Sequence, residues 1–559
     1  MDTYDLASLK LPVLSGAGLR MFASAIDNPL IRPLLLGTLM ESGGINRLRR
    51  IETGDVTLFL PLQPADAPGT SYPIDRVSLP EATTPGVPES VYTSSGEYAA
   101  RYRKGDLTPV DVAEQFFAAA DAEESATPPL SLFISIDRSD VMRQAEESAD
   151  RIAAGRALSV LDGVPVAVKD ELDMVPYPTT VGTRFLGSRP VTRDSTTVAR
   201  LRRAGALLLG KANMHEIGIN PTGHNPHYGH VRNPHNPSHD AGGSSSGCAA
   251  AVASGFAPIA LGADGGGSIR VPAAHCGIFG LKATFGRIST HGAAPIDPSV
   301  GHIGPIAATV PDLVLAYVVL AGPDPLDPMT LAQPAVTIDG WDRGNLDGLT
   351  IGVFRPWFDH CQPAISRRCT ELLAQLEREG AAVREIEIPG LDELRIAHAV
   401  TILSEMTAAM SLHASHLKEL APATRVSLSL ARAFSASDYL RAQRIRARAM
   451  ETFRKLYSEV DVIVTPTSAV TSPEIPANGI PQGISDLGTV TEIMRYIIPG
   501  NMLGFPAVSF PAGTDENGLP IGMQAMGRHW EEHHLLRIAR VAERHVSVGR
   551  PSRLYRLAR

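Results

Sequence analysis

From residue 158 onward, short apolar runs alternate with stretches of helical spacing. VPVAVK (164–169), ALLLG (206–210), PIALG (258–262), TIGVF (350–354), VDVIVTP (460–466) and AVSFPAG (507–513) are nearly continuous in apolar residues. That is the pattern of strands buried on both faces. Between them, residues 194–204, 366–380 and 437–457 repeat apolar positions at helical intervals. The alternation predicts an α/β fold: a largely parallel or mixed sheet covered by helices. Residues 96–157 read as helices, and Asp106-Leu-Thr-Pro places one start at Thr108 or Pro109.

The first 60 residues form a separate apolar segment, a helical arm. LRMFASAIDNPLIRPLLLGTLM (19–40) is interrupted by Arg20, Asp27, Pro29, Arg32 and Pro33. These interruptions predict two short amphipathic helices broken at the prolines instead of one spanning helix. One reading packs the arm on the main body. The other gives residues 19–50, which include Arg47, Arg49 and Arg50, a peripheral contact with membrane or oily substrate. Residues 61–95 are rich in proline and read as an extended linker. Residues 96–559 make up the third and largest unit.

Composition narrows the class. The chain has 559 residues, 44% of them hydrophobic and 20% charged, as in ordinary soluble globular proteins. A formal charge of −8 gives no sign of a nucleic-acid surface. Cys248, Cys276, Cys361 and Cys369 form no Cys-x-x-Cys pair and read as free thiols in a reducing compartment. The opening Met-Asp-Thr-Tyr-Asp lacks the positive region of an export signal, and no run of eighteen apolar residues appears. The expected location is cytoplasmic.

Several motifs fall short of their chemistry. Gly205-Ala-Leu-Leu-Leu-Gly210-Lys211 lacks the hydroxyl that a phosphate loop needs at position 212, which is Ala. His215-Glu216 lacks the second histidine of a zinc protease helix, since position 219 is Ile. His224, His227, His230, His235 and His239 have no carboxylate or cysteine at ligand spacing and read as a polar loop near a site. Arg441, Arg444, Arg446 and Arg448 read as a solvated, paired helical face.

Residues 240–277, DAGGSSSGCAAAVASGFAPIALGADGGGSIRVPAAHCG, carry the chemistry. Ser244 to Ser246 are bracketed by glycines and followed by a small-residue helix. Gly265-Gly266-Gly267-Ser268 follow an apolar strand. Glycines there let the backbone approach a ligand and aim successive N–H groups at one point, the equipment of an oxyanion hole beside a hydroxyl nucleophile. By spacing alone, a glycine-rich turn without chemistry stands equally open.

The combination GGSSSG, GADGGGSIRVPA and GVPVAVKD (163–170) resembles the amidase signature family. Ser268 follows Ser244 by 24 positions, and Ser244 follows Lys169 by 75. GKANMHE (210–216), CGIFGLK (276–282), DVIVTPT (461–467), NMLGFPAVSFPAG (501–513) and GLPIGMQ (518–524) extend the likeness over roughly residues 96–540. Within the family, LPVLSGAGLRMF, DNPLIRPLLL, HNPHYGHVRNPH and AFSASDYLRAQ look like the plant-type fatty acid amide hydrolases, which carries the resemblance to the N-terminal arm. Ala263 stands where Thr is usual, Cys248 where Ser is usual, and Ala283 where Pro or Thr is usual.

The resemblance implies a twisted mixed sheet with helices on both faces, a cis peptide before Ser244, a homodimer and no metal or organic cofactor. It implies a triad in which Lys169 takes a proton from Ser244, Ser244 takes one from Ser268, and Ser268 attacks the amide carbon. Burial at a strand end favours the uncharged lysine; the alternative for Lys169 is a buried ion pair with Asp170 or another acid. The N–H groups of Gly265, Gly266, Gly267 and Ser268 are the expected oxyanion donors. Asp264 and Arg270 look like supports of that loop, and Ser245 is expected to hydrogen-bond near Lys169. The expected substrate is a small, lipid-like amide, an N-acylethanolamine or primary fatty amide. Short or aromatic carboxamides, an amidotransferase subunit and an inactive binding module are the alternatives.

Overall fold

The apolar runs lie side by side in one eleven-stranded sheet. It is seen in a computed structural model that describes residues 4–9, 13–52, 69–79, 90–480 and 482–558. Residues 61–68 and 80–89, most of the expected linker, lie outside the described residues. In spatial order the strands are Phe133–Ser135, Leu207–Ala212, Pro165–Lys169, Ile259–Ala263, Ile303–Ala307, Phe279–Lys282, Ala507–Thr514, Pro520–Gly527, Val462–Pro466, Thr350–Val353 and Ala382–Glu385. Pro165–Lys169 runs parallel to both its neighbours, whereas the middle of the sheet is antiparallel. The sheet is therefore mixed, and helices pack against it.

All six apolar runs are strands. Two of the five further strands of this sheet lack that signal for physical reasons. Ala382–Glu385 is an edge strand with exposed charges. Pro520–Gly527 carries glycine because the helix Arg270–Cys276 lies against it: a Cβ on Gly522 would stand 2.4 Å from that of Ala274. The helix Pro109–Glu124 begins as its sequence requires. Thr108 Oγ1 accepts from Asp111 N (3.1 Å), the Asp111 carboxylate accepts from Thr108 N (2.8 Å), and Pro109 opens the first turn.

The arm forms the helices Gly16–Asp27 and Arg32–Ser42, with Pro29 in the break. Leu19 and Ala23 pack against Ala423 and Val426 of the body. The Arg32 guanidinium caps the carbonyls of Ile26 and Asp27, both at 2.9 Å, closing the first helix where its C-terminal carbonyls lack partners. Arg49 grips the buried Asp438 carboxylate at 3.0 and 2.9 Å, and Arg47 pairs with the buried Asp392. Facing outward, Met21, Leu30 and Leu34 are 73%, 91% and 77% exposed. Among the described residues no helix is long and apolar enough to cross a membrane.

One helical face departs from its reading. In Ala436–Leu456, Arg446 is fully buried and donates to Gln443 (2.8 Å) and to the Ser299 carbonyl (3.2 Å). Arg448 pairs with Glu393 and Arg441 donates to the Ile51 carbonyl, but the row is not wholly solvated, because Arg446 falls on the inward stripe of the helix.

Candidate active site

Strand ends bring the candidate residues together. Lys169 closes the buried strand Pro165–Lys169, and Ala263 closes its parallel neighbour. Lys169 Nζ donates to Ser244 Oγ at 2.9 Å and to the Ala263 carbonyl at 3.2 Å. It also pairs with Glu171 at 2.8 Å. Asp170 turns instead to Lys211, 3.3 Å away. Lys169 therefore reaches both Ser244 and a buried carboxyl, and the acid is Glu171. The strand ends at Lys169 and the chain turns there, Leu172 N donating to the Lys169 carbonyl at 3.1 Å, and this turn carries Glu171 to Lys169 and Asp170 to Lys211.

Ser245 shares the Ala263 acceptor with Lys169. Its Oγ donates to that carbonyl at 3.0 Å and accepts from Ala263 N at 3.2 Å. Residue 263 thus acts through its main chain, which is why alanine serves there. Ser244 follows Gly243 through a cis peptide, and its carbonyl accepts from His215 N at 3.1 Å.

The loop before Ser244 has a support that sequence reasoning missed. Asp240 is buried, accepts from Gly242 N (2.6 Å) and Gly223 N (3.0 Å), and meets His230 Nε2 at 2.7 Å. Burial would raise this carboxyl, but His230 and the two N–H groups hold it below its ordinary value. The histidine loop therefore does have a carboxylate partner. Among the described residues, no three His, Cys, Asp or Glu side chains stand together as metal ligands.

The second serine sits on the loop between Ala263 and the helix Arg270–Cys276. Asp264 organises it. Its carboxylate accepts from Gly267 N (2.6 Å), Ile269 N (3.2 Å), Arg270 Nε (3.1 Å) and Asn501 Nδ2 (2.8 Å). Burial alone would raise this carboxyl, but Arg270, Asn501 and Lys282 outweigh it and hold it below the usual carboxylate range. Arg270 is also fully buried and reaches Gln524 Oε1 and the Ile497 carbonyl, each at 3.1 Å. One expected donor is corrected: the N–H of Gly267 is committed to Asp264 and is not free for an oxyanion. Gly265, Gly266 and Ser268 remain.

Gly267 stands at φ +100°, where glycine is favoured, and a Cβ there would lie 2.0 Å from Ile497 Cδ1; a Cβ on Gly265 would lie 1.6 Å from Asp297 Oδ2 and would displace that side chain. His398, a second support without a sequence signal, meets the Gly265 carbonyl through Nε2 at 2.9 Å. Burial lowers its pKa to about 4, so the ring is neutral and Nε2–H donates.

Lys169, Glu171, Ser244, Gly265, Gly266, Ser268 and Asp297 share a pocket with the apolar Ile217, Ile296, Ile402 and Met406. These apolar residues join a cluster with Met214, Met410, Leu420 and Leu428. The Ser268 hydroxyl has no hydrogen-bond partner among the described residues, although its carbonyl accepts from Ser245 N at 3.1 Å. A free hydroxyl, glycine N–H groups and a buried lysine–serine pair in one pocket are the components of acyl transfer.

The sequence profile of the amidase family matches residues 114–536. This chain belongs to the amidase signature family. It is an amidase, and its mixed sheet is that of its relatives. A fatty acid amide hydrolase from Medicago truncatula is 38% identical over 570 residues, covering 97% of this chain and 94% of that one. Another from Arabidopsis thaliana is 36% identical, covering 99% and 96%. Among solved structures, a bacterial aryl acylamidase of the amidase signature family superposes with a TM-score of 0.73 at 26% identity, covering 82% of this chain and 97% of its own.

Proposed function

We propose that the protein hydrolyses long-chain N-acyl amides, with Ser268 as nucleophile, Ser244 as relay and Lys169 as base. The observation that carries this reading is the buried 2.9 Å contact from Lys169 Nζ to Ser244 Oγ beside a Ser268 hydroxyl that has no partner among the described residues. Ser268 Oγ bonds to the amide carbon as its proton passes to Ser244, whose own proton passes to Lys169. The ammonium so formed is stabilised by Glu171, 2.8 Å away. Gly265, Gly266 and Ser268 N–H groups hold the developing oxyanion. The C–N bond then breaks, Lys169 returns its proton through Ser244 to the leaving nitrogen, and water releases the acyl group by the same relay.

Support for a lipid acyl group comes from the apolar residues in the pocket and the cluster they join, and from relatives named fatty acid amide hydrolase that align along nearly the whole chain, arm included. The reading includes a homodimer, which sedimentation tests, and membrane contact through the outward Met21, Leu30 and Leu34. The deciding experiment is kcat/KM for amides of graded acyl length, with Ser268→Ala as control. Each buried methylene contributes up to about 0.8 kcal/mol, so kcat/KM should climb severalfold per pair of methylenes. A flat profile still abolished by Ser268→Ala would retain the triad and replace the lipid substrate with short or aromatic amides.

A further inference from the structure

Two polar side chains in the pocket have no hydrogen-bond partner among the described residues: Ser268, and Asp297. The first is the proposed nucleophile. The second has no task in the relay. Asp297 sits in a tight turn whose carbonyl accepts from Val300 N (3.1 Å) and Gly301 N (2.7 Å), which fixes the direction of its side chain. Oδ2 occupies the space of a Cβ at position 265, so the carboxyl presses on the Cα of Gly265, at the start of the Ser268 loop.

The polar groups around Asp297 are engaged elsewhere. Lys169 and Glu171 hold each other. Glu405 accepts from Ser299 N and Tyr439 Oη, both at 3.0 Å, and Arg446 holds Ser299 and Gln443. Asp264 is held by Arg270 and Asn501, and His398 by the Gly265 carbonyl. Asp297 is half-buried, and a pocket carboxyl with no protein partner is an acceptor that a donor on the ligand can fill in place of water. An alkyl acyl chain has none. The donors of an amide substrate are on its amine half.

We infer that Asp297 determines specificity for the amine half of the substrate, its carboxyl binding a hydroxyl or ammonium carried by the leaving amine. The inference rests on the proposed role of Ser268 and deepens it. Burial, with Glu171 and Glu405 adding to it, holds the Asp297 carboxyl well above the usual range, against the pull of Lys169. A raised carboxyl is neutral at low pH and suits a hydroxyl. As pH rises through its folded value it becomes anionic and favours an ammonium.

The test uses the full chain and three amides of nearly equal shape, bearing N-(2-hydroxyethyl), N-(2-aminoethyl) and N-propyl groups, each in a butyryl and a dodecanoyl series. Within a series, the kcat/KM ratio of aminoethyl to propyl amide cancels the titration of the triad. Over the range in which the alkylamine stays largely charged, that ratio should rise with pH by at least about tenfold, the scale of one nearby charge. Asp297→Asn should flatten it, and Asp297→Leu should bring the hydroxyethyl amide down to the propyl level at low pH. A ratio independent of pH in the unaltered protein, which needs no variant to fold, overturns the inference. So does a ratio that still rises in Asp297→Asn. Turnover confined to the butyryl series overturns the lipid assignment alone and leaves the head-group ratio to judge Asp297.

Discussion

Replacing Asp264 with asparagine tests whether one buried carboxylate assembles the Ser268 loop. Asp264 and Arg270 are both fully buried, so the substitution leaves a guanidinium without its counter-charge. Breaking a buried pair from one side costs about 3–5 kcal/mol. Arg270 keeps Gln524, Asn501 and the Ile497 carbonyl as acceptors, which places the expected loss near the lower end, about 3 kcal/mol. The same carboxylate accepts from Gly267 N and Ile269 N on either side of Ser268. Loosening that grip misplaces the oxyanion donors, and losing one such donor costs about 10²–10³ in kcat. Urea unfolding measures the first effect through its midpoint and slope; turnover at saturating amide measures the second. The pH dependence follows from the depressed carboxyl. Its contribution is fully present above the unfolded value of about 3.9 and is lost as pH falls towards the lower folded value. The stability gap between the two proteins should stay level from neutrality to about pH 4 and narrow below it. A variant with an unchanged urea midpoint and unchanged kcat at pH 7 would refute the assignment.

Three further outcomes are expected. Lys169→Met should abolish acyl-enzyme formation, read as loss of fluorophosphonate labelling at Ser268; undiminished labelling would remove Lys169 from the relay. Gly242→Ala places a methyl 2.9 Å from Pro272 Cα at φ +75°, which should cost more than about 1 kcal/mol in thermal unfolding and lower kcat by shifting Ser244. Leu30→Asp with Leu34→Asp, on the exposed side of the arm, should weaken binding to phospholipid vesicles while leaving turnover of a short soluble amide intact; equal vesicle binding would rule out membrane contact through these residues.

The sequence by itself determined whatever depends on neighbours in the chain. Continuous apolar runs marked six buried strands, Thr108-Pro109 marked a helix start, and Pro29 and Pro33 broke the arm in two. The glycine–serine segments marked Ser244 and Ser268 because close backbone approach demands glycine. Tertiary structure alone decided which distant groups complete the site. His398 lies 133 residues from the Gly265 carbonyl it bonds, and Asn501 lies 237 from Asp264. Neither spacing leaves a periodic signal. The same holds for Asp297, an ordinary loop acid in sequence, which enters the pocket only because the strand Ile303–Ala307 pairs with Ile259–Ala263 and carries its turn against Gly265. Local steric rules act over a few residues and are written in order along the chain. Desolvation and charge pairing act through space, and only the folded sheet brings those partners within reach.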